Sequence, residues 1–184
     1  MQNSEKKYKV GLYIGRFQPI HIGHESIIRK MLNECERVII AIGSAQESGT
    51  VKNPFTLEQR ADLITNVFYR ERFEGRLKIM PLEDRENPSN DATWGDYVFQ
   101  KVYNRFYIFP DAIYEGEEVE RNNWYDNRNV TIIRVPRTNI PISATELREN
   151  IKNREYTEAL EMLPSAITYR IDEMRRVIEN AEKN

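Results

Sequence analysis

The sequence contains few of the residues that form disulfides, metal clusters or membrane-spanning segments. Cys35 is the single cysteine among 184 residues, which excludes a disulfide within the chain and a cysteine-based metal cluster. No stretch approaches the roughly 20 consecutive apolar residues that a membrane-spanning helix needs. The 27 basic and 29 acidic residues leave a net charge of -2, so neither nucleic acid nor an anionic membrane is an expected partner. Because the first residues also lack a long apolar stretch, we expect a cytoplasmic protein.

Histidine is equally scarce, and both copies fall within one window of four residues. The segment His21-Ile22-Gly23-His24 follows a predicted strand that ends near Gly15, and it begins a predicted amphipathic helix. The backbone N–H groups and the dipole at the start of a helix attract anions. Two imidazoles, the nearby guanidinium of Arg16 and a glycine-rich turn therefore predict a site for phosphate groups.

Predicted strands and helices alternate along the first part of the chain. Apolar runs of strand length occur at residues 8–14, 38–43, 77–80, 111–114 and 130–135. Helices are predicted from about residue 22 to Cys35, after an N-cap at Thr56, and over residues 94–106. Cys35 is thus expected to be a small apolar residue of the first helix. The alternation predicts an α/β fold with a Rossmann-like parallel sheet of about five strands and helices on both faces.

The pattern changes after Pro141, where only helices are predicted. They cover residues 143–151, 156–163 and 165 to about 181, and the last of them carries apolar residues at helical spacing. We therefore expect a nucleotide-binding α/β domain over residues 1–140 and a small helical C-terminal subdomain over residues 141–184. The subdomain should pack on the domain, so that the two form a single compact unit.

Polar residues and glycines that follow the predicted strands should meet at one edge of the sheet. In open α/β sheets, ligands bind beyond the carboxyl ends of the strands. Gly15, Ser44, Asp84 and Gly116 each follow one of the first four strands, and the segment 141–148 follows the fifth and opens a helix. The sequence therefore predicts one binding site that is assembled from five separate segments.

The blocks at this edge resemble those of a known enzyme family. They are residues 15–19 (Gly-Arg-Phe-Gln-Pro), 21–24 (His-Ile-Gly-His), 43–46 (Gly-Ser-Ala-Gln), 53–56 (Asn-Pro-Phe-Thr) with Arg60, and 142–148 (Ile-Ser-Ala-Thr-Glu-Leu-Arg). The set is similar to the HxGH nucleotidyltransferase superfamily and, within it, to the archaeal-type nicotinamide-nucleotide adenylyltransferases, over about residues 8–163. The resemblance implies transfer of AMP from Mg-ATP to the 5′-phosphate of nicotinamide mononucleotide (NMN), which gives NAD and pyrophosphate.

The resemblance also implies roles for individual residues. Catalytic contacts to the ATP phosphates are implied for His21, His24, Arg16 and Arg148. Among these, His24 would lie nearest the α-phosphate and Arg148 would neutralise the departing pyrophosphate. Further contacts to ATP are implied for Gly15, Phe17, Gly23, Lys52, Ser143 and Thr145. On the nicotinamide side, Trp94 would stack on the ring, with Asp91, Asp84 and Ser44 near it.

Three features depart from the family pattern. Ser48-Gly49-Thr50 stands where the family often has Ser-His-Thr, and the segment from Asp84 to Trp94 is longer than usual. Asp91 occupies a position where an asparagine is usual. A carboxylate at that position accepts a hydrogen bond from the carboxamide of nicotinamide and repels the carboxylate of nicotinic acid, so we expect a preference for the amide substrate.

Two alternatives stay open on the sequence alone. A related nucleotidyltransferase could use another acceptor, namely pantetheine phosphate, flavin mononucleotide or, with CTP, a polyol phosphate. A non-catalytic nucleotide sensor would bind ATP or NAD without releasing pyrophosphate. The resemblance further implies a homo-oligomer, and Mg²⁺ that enters with ATP. No cluster of carboxylates in the sequence points to a metal site on the protein itself.

Overall fold

Five parallel strands form the single sheet of the computed structural model, which describes residues 5–85, 91–116, 124–136 and 142–183, with residues 91–93 as backbone alone. The strands are β1 (Tyr8–Gly15), β2 (Cys35–Ile42), β3 (Leu77–Pro81), β4 (Ala112–Gly116) and β5 (Thr131–Val135). Their order in the sheet is β3-β2-β1-β4-β5, and all neighbouring pairs are parallel. The predicted Rossmann-like sheet is therefore confirmed, with β1 at its centre.

The helices occupy the segments between and after these strands. They are α1 (Ile22–Glu34), α2 (Leu57–Val67), α3 (Tyr69–Phe73), α4 (Asp91–Phe106), α5 (Ala144–Asn153), α6 (Tyr156–Met162), a 3₁₀ helix (Ser165–Arg170) and α7 (Ile171–Ala181). Helix α2 begins at the predicted cap. Oγ1 of Thr56 accepts the N–H of Gln59 at 3.2 Å, and Oε1 of Gln59 accepts the N–H of Thr56 at 2.9 Å. None of the described helices is long and apolar enough to cross a membrane.

Each face of the sheet is covered by its own apolar core. Successive residues of a strand point to opposite faces, and in β2 the side chains of Val38 and Ile40 enter one core while those of Ile39 and Ala41 enter the other. The first core also contains side chains from α1, α2 and the C-terminal helices, and the second contains side chains from α4. The prediction of helices on both faces is confirmed.

The structure corrects three local predictions. Cys35 does not belong to the first helix: α1 ends at Glu34, and Cys35 opens β2 with an extended backbone, although its N–H still donates to the carbonyl of Met31. The segment predicted as one helix from residue 165 consists of a 3₁₀ helix followed by α7. Helix α3 has no counterpart in the prediction, because none of its residues is buried and the segment shows no apolar face.

The C-terminal helices extend the first core. Leu147 and Ile151 of α5, Ala159 of α6, and Met174 and Ile178 of α7 are buried in the same cluster as residues of the sheet. They thereby hold the start of α5 close to the carboxyl ends of β4 and β5. The predicted division between residues 140 and 141 lies outside the described residues and stays a prediction.

Candidate active site

A cavity of about 340 Å³ opens at the carboxyl ends of β1, β4 and β5. Its wall is formed by the loop after β1, the start of α1 and the start of α5. The polar and charged side chains that line it are Arg16, Gln18, His21, His24, Ser26, Lys52, Ser143, Thr145 and Arg148. The cavity therefore lies at the edge of the sheet where the topology of a parallel α/β fold places a ligand.

The two histidines at the start of α1 stack on each other. Their ring centroids are 3.8 Å apart, and His21 is buried. Nδ1 of His24 accepts the backbone N–H of His21 at 3.4 Å, so Nε2 is the ring nitrogen that carries a proton and can donate to a ligand. A Cβ atom on Gly23 would lie 3.0 Å from the His21 ring. Because glycine has no side chain, the two imidazoles have room to stack here.

Two guanidinium groups from distant parts of the chain face the same cavity. Arg148 donates to the backbone carbonyl of Gln18 at 2.8 Å and to Oγ1 of Thr145 at 3.3 Å. Burial lowers the pKa of Arg148, and the charge of nearby Arg16 lowers this pKa further, while Glu149 acts in the opposite direction. Because two cations held together repel each other, an anion placed between them is strongly attracted.

The first turn of α5 presents backbone donors to this cavity. Ser143 is the N-cap of α5, and its Oγ accepts the N–H of Glu146 at 3.1 Å. Ala144 and Thr145, the first residues of the helix, line the cavity. The N–H groups of this turn and the helix dipole add to the attraction for a negatively charged ligand.

Two buried polar side chains hold the loops behind the cavity. Gln18 exchanges two hydrogen bonds with the backbone of Phe55, at 3.1 and 2.9 Å. Arg60 of α2 is fully buried and donates, at 2.9–3.4 Å, to the backbone carbonyls of Arg16, Gly43, Ser44, Glu47 and Thr56. These bonds fix the loops after β1 and β2 against the start of α2.

A second cavity of about 300 Å³ adjoins the first. Tyr13, His24 and Gly116 line both, so the two cavities meet beside the His24 ring. The rest of the second lining is largely aromatic and apolar, and consists of Ile14, Gly15, Trp94, Ile113, Tyr114, Glu115, Trp124 and Tyr125. The rings of Trp94 and Trp124 lie edge to face, 6.1 Å apart. A cationic cavity beside an aromatic one can accept a molecule that carries both phosphates and a flat ring.

Most of the predicted site residues lie in these two cavities. The first is lined by Arg16, Phe17, His21, Gly23, His24, Lys52, Ser143, Thr145 and Arg148, and the second by Gly15 and Trp94. Ser44 and Asp84 line neither. Ser44 is buried with its carbonyl bonded to Arg60, and Asp84 is exposed and hydrogen-bonded to Gln46. Asp91 begins α4, but its side chain lies outside the described residues. The roles assigned to all these residues stay predictions.

Three residues that line the second cavity were not predicted from the sequence. They are Glu115, Trp124 and Tyr125, and none of them belongs to a recognised motif. A signal did exist for Glu115, because it is a charged residue in the otherwise apolar run that forms β4. Trp124 stands in a polar segment whose spacing predicts neither a helix nor a strand, so no pattern indicated its place.

The described residues offer no protein-based metal site. Among them, no group of three or more His, Cys, Asp or Glu side chains is arranged to hold a metal ion. Apart from the two histidines, the polar groups that line the first cavity are mainly guanidinium, ammonium, amide and hydroxyl groups, which can donate hydrogen bonds to phosphate oxygens.

Comparison with known proteins gives concordant results. The family described as cytidylyltransferase-like matches residues 12–150. The chain is similar to a nicotinamide-nucleotide adenylyltransferase of Thermococcus onnurineus (strain NA1), at 32% identity over 95% of this chain and 93% of that protein. A nicotinamide-nucleotide adenylyltransferase of Methanococcus aeolicus is 34% identical over 89% of this chain and 88% of its own length.

Solved structures of similar fold include a bifunctional NMN adenylyltransferase/ADP ribose pyrophosphatase from Francisella tularensis, complexed with AMP and a manganese ion. The match has a TM-score of 0.68 at 24% identity, and it covers 93% of this chain and 52% of that chain. The chain therefore spans about half the length of that bifunctional protein, and the likeness is one of fold.

Proposed function

Because the chain belongs to the cytidylyltransferase-like family, we propose that it is a nicotinamide-nucleotide adenylyltransferase that transfers AMP from ATP to the 5′-phosphate of NMN. The products are NAD and pyrophosphate. Curated relatives that match almost the whole chain carry this name. The pair of adjoining cavities, one cationic and one aromatic, provides room for the two substrates at one edge of the sheet.

The observation that carries the proposal is the meeting of His24, Arg16 and Arg148 around one cavity. Arg148 bonds to the carbonyl of Gln18, although 130 residues separate them in the sequence. The histidines at the start of α1 and the guanidinium of Arg148 thus line the same cavity. A triphosphate is the ligand that uses such a set of donors, since its charge is spread over many oxygens.

The reaction needs positioning and charge stabilisation more than a strong base. The phosphate of NMN has a second pKa near ~6, so most of it is already dianionic at neutral pH. One of its oxygens attacks the α-phosphorus of ATP in line, the bond from this phosphorus to the oxygen shared with the β-phosphate breaks, and pyrophosphate leaves. Nε2 of His24 donates to the α-phosphate, where negative charge develops. Arg148 and Lys52 neutralise the departing pyrophosphate.

We propose that the two bases occupy different cavities. Val135, Pro136 and Ile142 form an apolar part of the first cavity, and the adenine of ATP lies against them. The pyridine ring of NMN enters the second cavity, where the face of Trp94 is available to a cationic ring. The reacting phosphates then meet beside His24, which lines both cavities.

The divalent metal enters with the nucleotide and not as a resident cofactor. The bifunctional relative was crystallised with a manganese ion as well as AMP. In this chain we propose Mg²⁺ bound by the phosphate oxygens of ATP, because the described part of the protein arranges cations, and no carboxylate cluster, around the phosphates. The expected homo-oligomer stays a prediction, which light scattering of the purified protein tests.

The decisive experiment compares the parent protein with His24→Ala in the presence of ATP, Mg²⁺ and NMN. We expect the parent to form NAD and pyrophosphate in equal amounts. Because the variant loses a donor to the α-phosphate, we expect its kcat to fall by about 100-fold or more. The measurement is NAD formation, coupled to a dehydrogenase, with pyrophosphate determined in parallel.

A matched control changes the other end of the same helix. Asn33 is exposed at the end of α1, and Asn33→Ala should keep the activity of the parent. Equal NAD yields from the parent and from His24→Ala would contradict the mechanism proposed here. Binding of ATP by the parent without any pyrophosphate release would favour a nucleotide sensor. Release only with pantetheine phosphate, flavin mononucleotide or a polyol phosphate would favour a different acceptor.

A further inference from the structure

One of the groups that line the second cavity is a carboxyl group that the transfer reaction does not use. Glu115 is the next-to-last residue of β4, and only 8% of its side chain is exposed. It lines the cavity together with Trp94, Trp124 and Tyr125. Its Oε2 atom is buried and accepts no hydrogen bond from any residue that the structure describes. A buried acceptor of this kind is costly unless a ligand or another partner satisfies it.

The charges around Glu115 leave it partly uncompensated. The guanidinium of Arg134 on β5 lies 3.5 Å from Oε2, but 35% of the Arg134 side chain is exposed. An exposed cation is hydrated and screened, so it offsets only part of a buried negative charge. Burial raises the pKa of Glu115, and Arg134 opposes this effect. The pKa of neighbouring Tyr125 is also raised, first by the burial of Tyr125 and then by the charge of Glu115.

We propose that the Glu115 carboxylate selects NMN over nicotinic acid mononucleotide by accepting a hydrogen bond from the carboxamide group. This rests on the proposed adenylyl transfer and on the second cavity as the place of the pyridine ring. The carboxamide NH₂ supplies the donor that Oε2 lacks, and the positive pyridinium ring is attracted to the carboxylate. The carboxylate of nicotinic acid has no donor, and it places a second negative charge next to the first.

The selection combines attraction for one substrate with repulsion of the other. Sites that hydrogen-bond a substrate group reject an analogue without it, because the buried partner is then left unsatisfied. Like charges brought together away from water are rejected more strongly still. Glu115 supplies both effects from one side chain.

The test measures kcat/KM of the full chain with each mononucleotide, for the parent and for Glu115→Gln. We expect the parent to prefer NMN by about tenfold or more, and the variant to bring the ratio of the two values close to one. Glutamine keeps the shape of the side chain and removes its charge. Since both substrates are measured on the same preparation, the ratio does not depend on the fraction of the variant that is folded.

Glu36→Gln is the matched control. Glu36 is exposed near the start of β2, at the opposite end of the strand from the cavities, so its replacement removes one negative charge without changing the second cavity. We expect this control to keep the ratio of the parent. A parent that uses both mononucleotides equally, or that prefers nicotinic acid mononucleotide, would overturn the proposal.

An unchanged ratio in Glu115→Gln would also overturn the proposal, and would leave Asp91 as the candidate for the selection. If the parent forms no dinucleotide with either acceptor, the proposed function fails, and the role of Glu115 is decided by binding instead. Quenching of tryptophan fluorescence then gives the affinities for both mononucleotides. Equal affinities in the parent would contradict the role of Glu115.

Discussion

Arg60 shows how a single side chain can organise a site that it does not line. Each of its hydrogen bonds ends on a backbone carbonyl, and four of these carbonyls belong to the loops after β1 and β2. A guanidinium has five donors in a fixed plane, so it can serve several carbonyls at once. The charge is buried, and burial lowers the pKa of Arg60. We infer that Arg60 positions Arg16 and the loop that leads to the histidines.

Replacing Arg60 by methionine should therefore damage both stability and activity. Methionine fills a similar volume but leaves buried carbonyls without donors, each at a cost of roughly 1–3 kcal/mol if water does not replace the guanidinium. We expect a loss of about 3–5 kcal/mol in the free energy of unfolding, measured with urea. In the folded fraction, kcat should fall more than the affinity for NMN changes, because the displaced loop carries Arg16, for which we propose a contact with ATP.

The variant Arg60→Lys distinguishes the positioning role of Arg60 from the effect of its positive charge alone. A lysine keeps the charge but cannot reach several carbonyls in one plane, so we expect it to restore only part of the stability and activity. Arg29→Met is the control, since Arg29 is exposed and pairs with Glu25 within α1, and it should change little. Full activity in Arg60→Met would contradict the positioning role.

At the scale of elements, segments with a clear pattern were predictable and segments without one were not. The continuous apolar run of β2 is buried on both faces, as expected of a central parallel strand. The cap at Thr56 located the start of α2. Helix α3, in contrast, buries none of its residues, so it has no apolar face that the sequence could reveal. In the last segment, apolar residues three and four positions apart fit both kinds of helix, so the change after Arg170 could not be read from the spacing.

The attachment of the C-terminal helices to α2 depends on a second arginine. Arg170 pairs with Asp62 of α2, and it donates to both carboxylate oxygens of Glu173 at 2.8 and 2.7 Å. We expect Arg170→Met to lower the melting temperature by about 2–4 °C, the shift that roughly 1 kcal/mol produces in a protein of this size. Arg175→Met is the control, because Arg175 pairs with Glu179 and Asp172 inside α7. Differential scanning calorimetry measures both.

The contact between Arg170 and Glu173 should also make the stability of the protein depend on pH, in a direction that the pKa of Glu173 defines. The hydrogen bond from Arg170 lowers the pKa of Glu173 below its ordinary value of 4.5, although partial burial opposes this. A carboxyl group with a lowered pKa in the folded state contributes stability above its ordinary pKa, and this is lost as the pH falls through the lowered value. The difference in melting temperature between the parent and Arg170→Met should therefore be full at neutral pH and shrink below pH 4.5. A difference that grows in acid would contradict the assignment.

At the scale of the whole molecule, the location of the site follows from topology, whereas its inner surface does not. Parallel strands place all their carboxyl ends at one edge, so residues after β1 and β5 meet there however far apart they are in sequence. Which side chains enter the cavity depends on local backbone angles. Ser44 has a φ of 46°, and Asp84 turns toward Gln46, so neither faces the cavities although both follow strands. In the second cavity, Gly15, His24 and Trp94 were predicted as site residues, whereas Glu115, Trp124 and Tyr125 belong to no recognised motif and were not.

Arg148 links the C-terminal helices to the sheet, since it belongs to α5 and lines the cavity at the carboxyl ends of the strands. Burial and the charge of Arg16 both lower the pKa of Arg148, so its charge adds little stability to the protein without a ligand. A bound triphosphate turns this repulsion into attraction for both guanidinium groups. The affinity for ATP, and the stability that ATP confers, should therefore depend strongly on Arg148.

We accordingly expect Mg-ATP to raise the melting temperature of the parent and not that of Arg148→Ala. At about 100 times the dissociation constant, a ligand adds about 2.7 kcal/mol, which corresponds to roughly 5–10 °C in a chain of this length. Without nucleotide, the variant should melt within about 2 °C of the parent, since the apolar face of α5 still packs through Leu147 and Ile151. Arg176→Ala, an exposed arginine of α7, should respond to ATP as the parent does. Equal shifts in the parent and in Arg148→Ala would mean that Arg148 and the histidines at the start of α1 do not bind the same nucleotide.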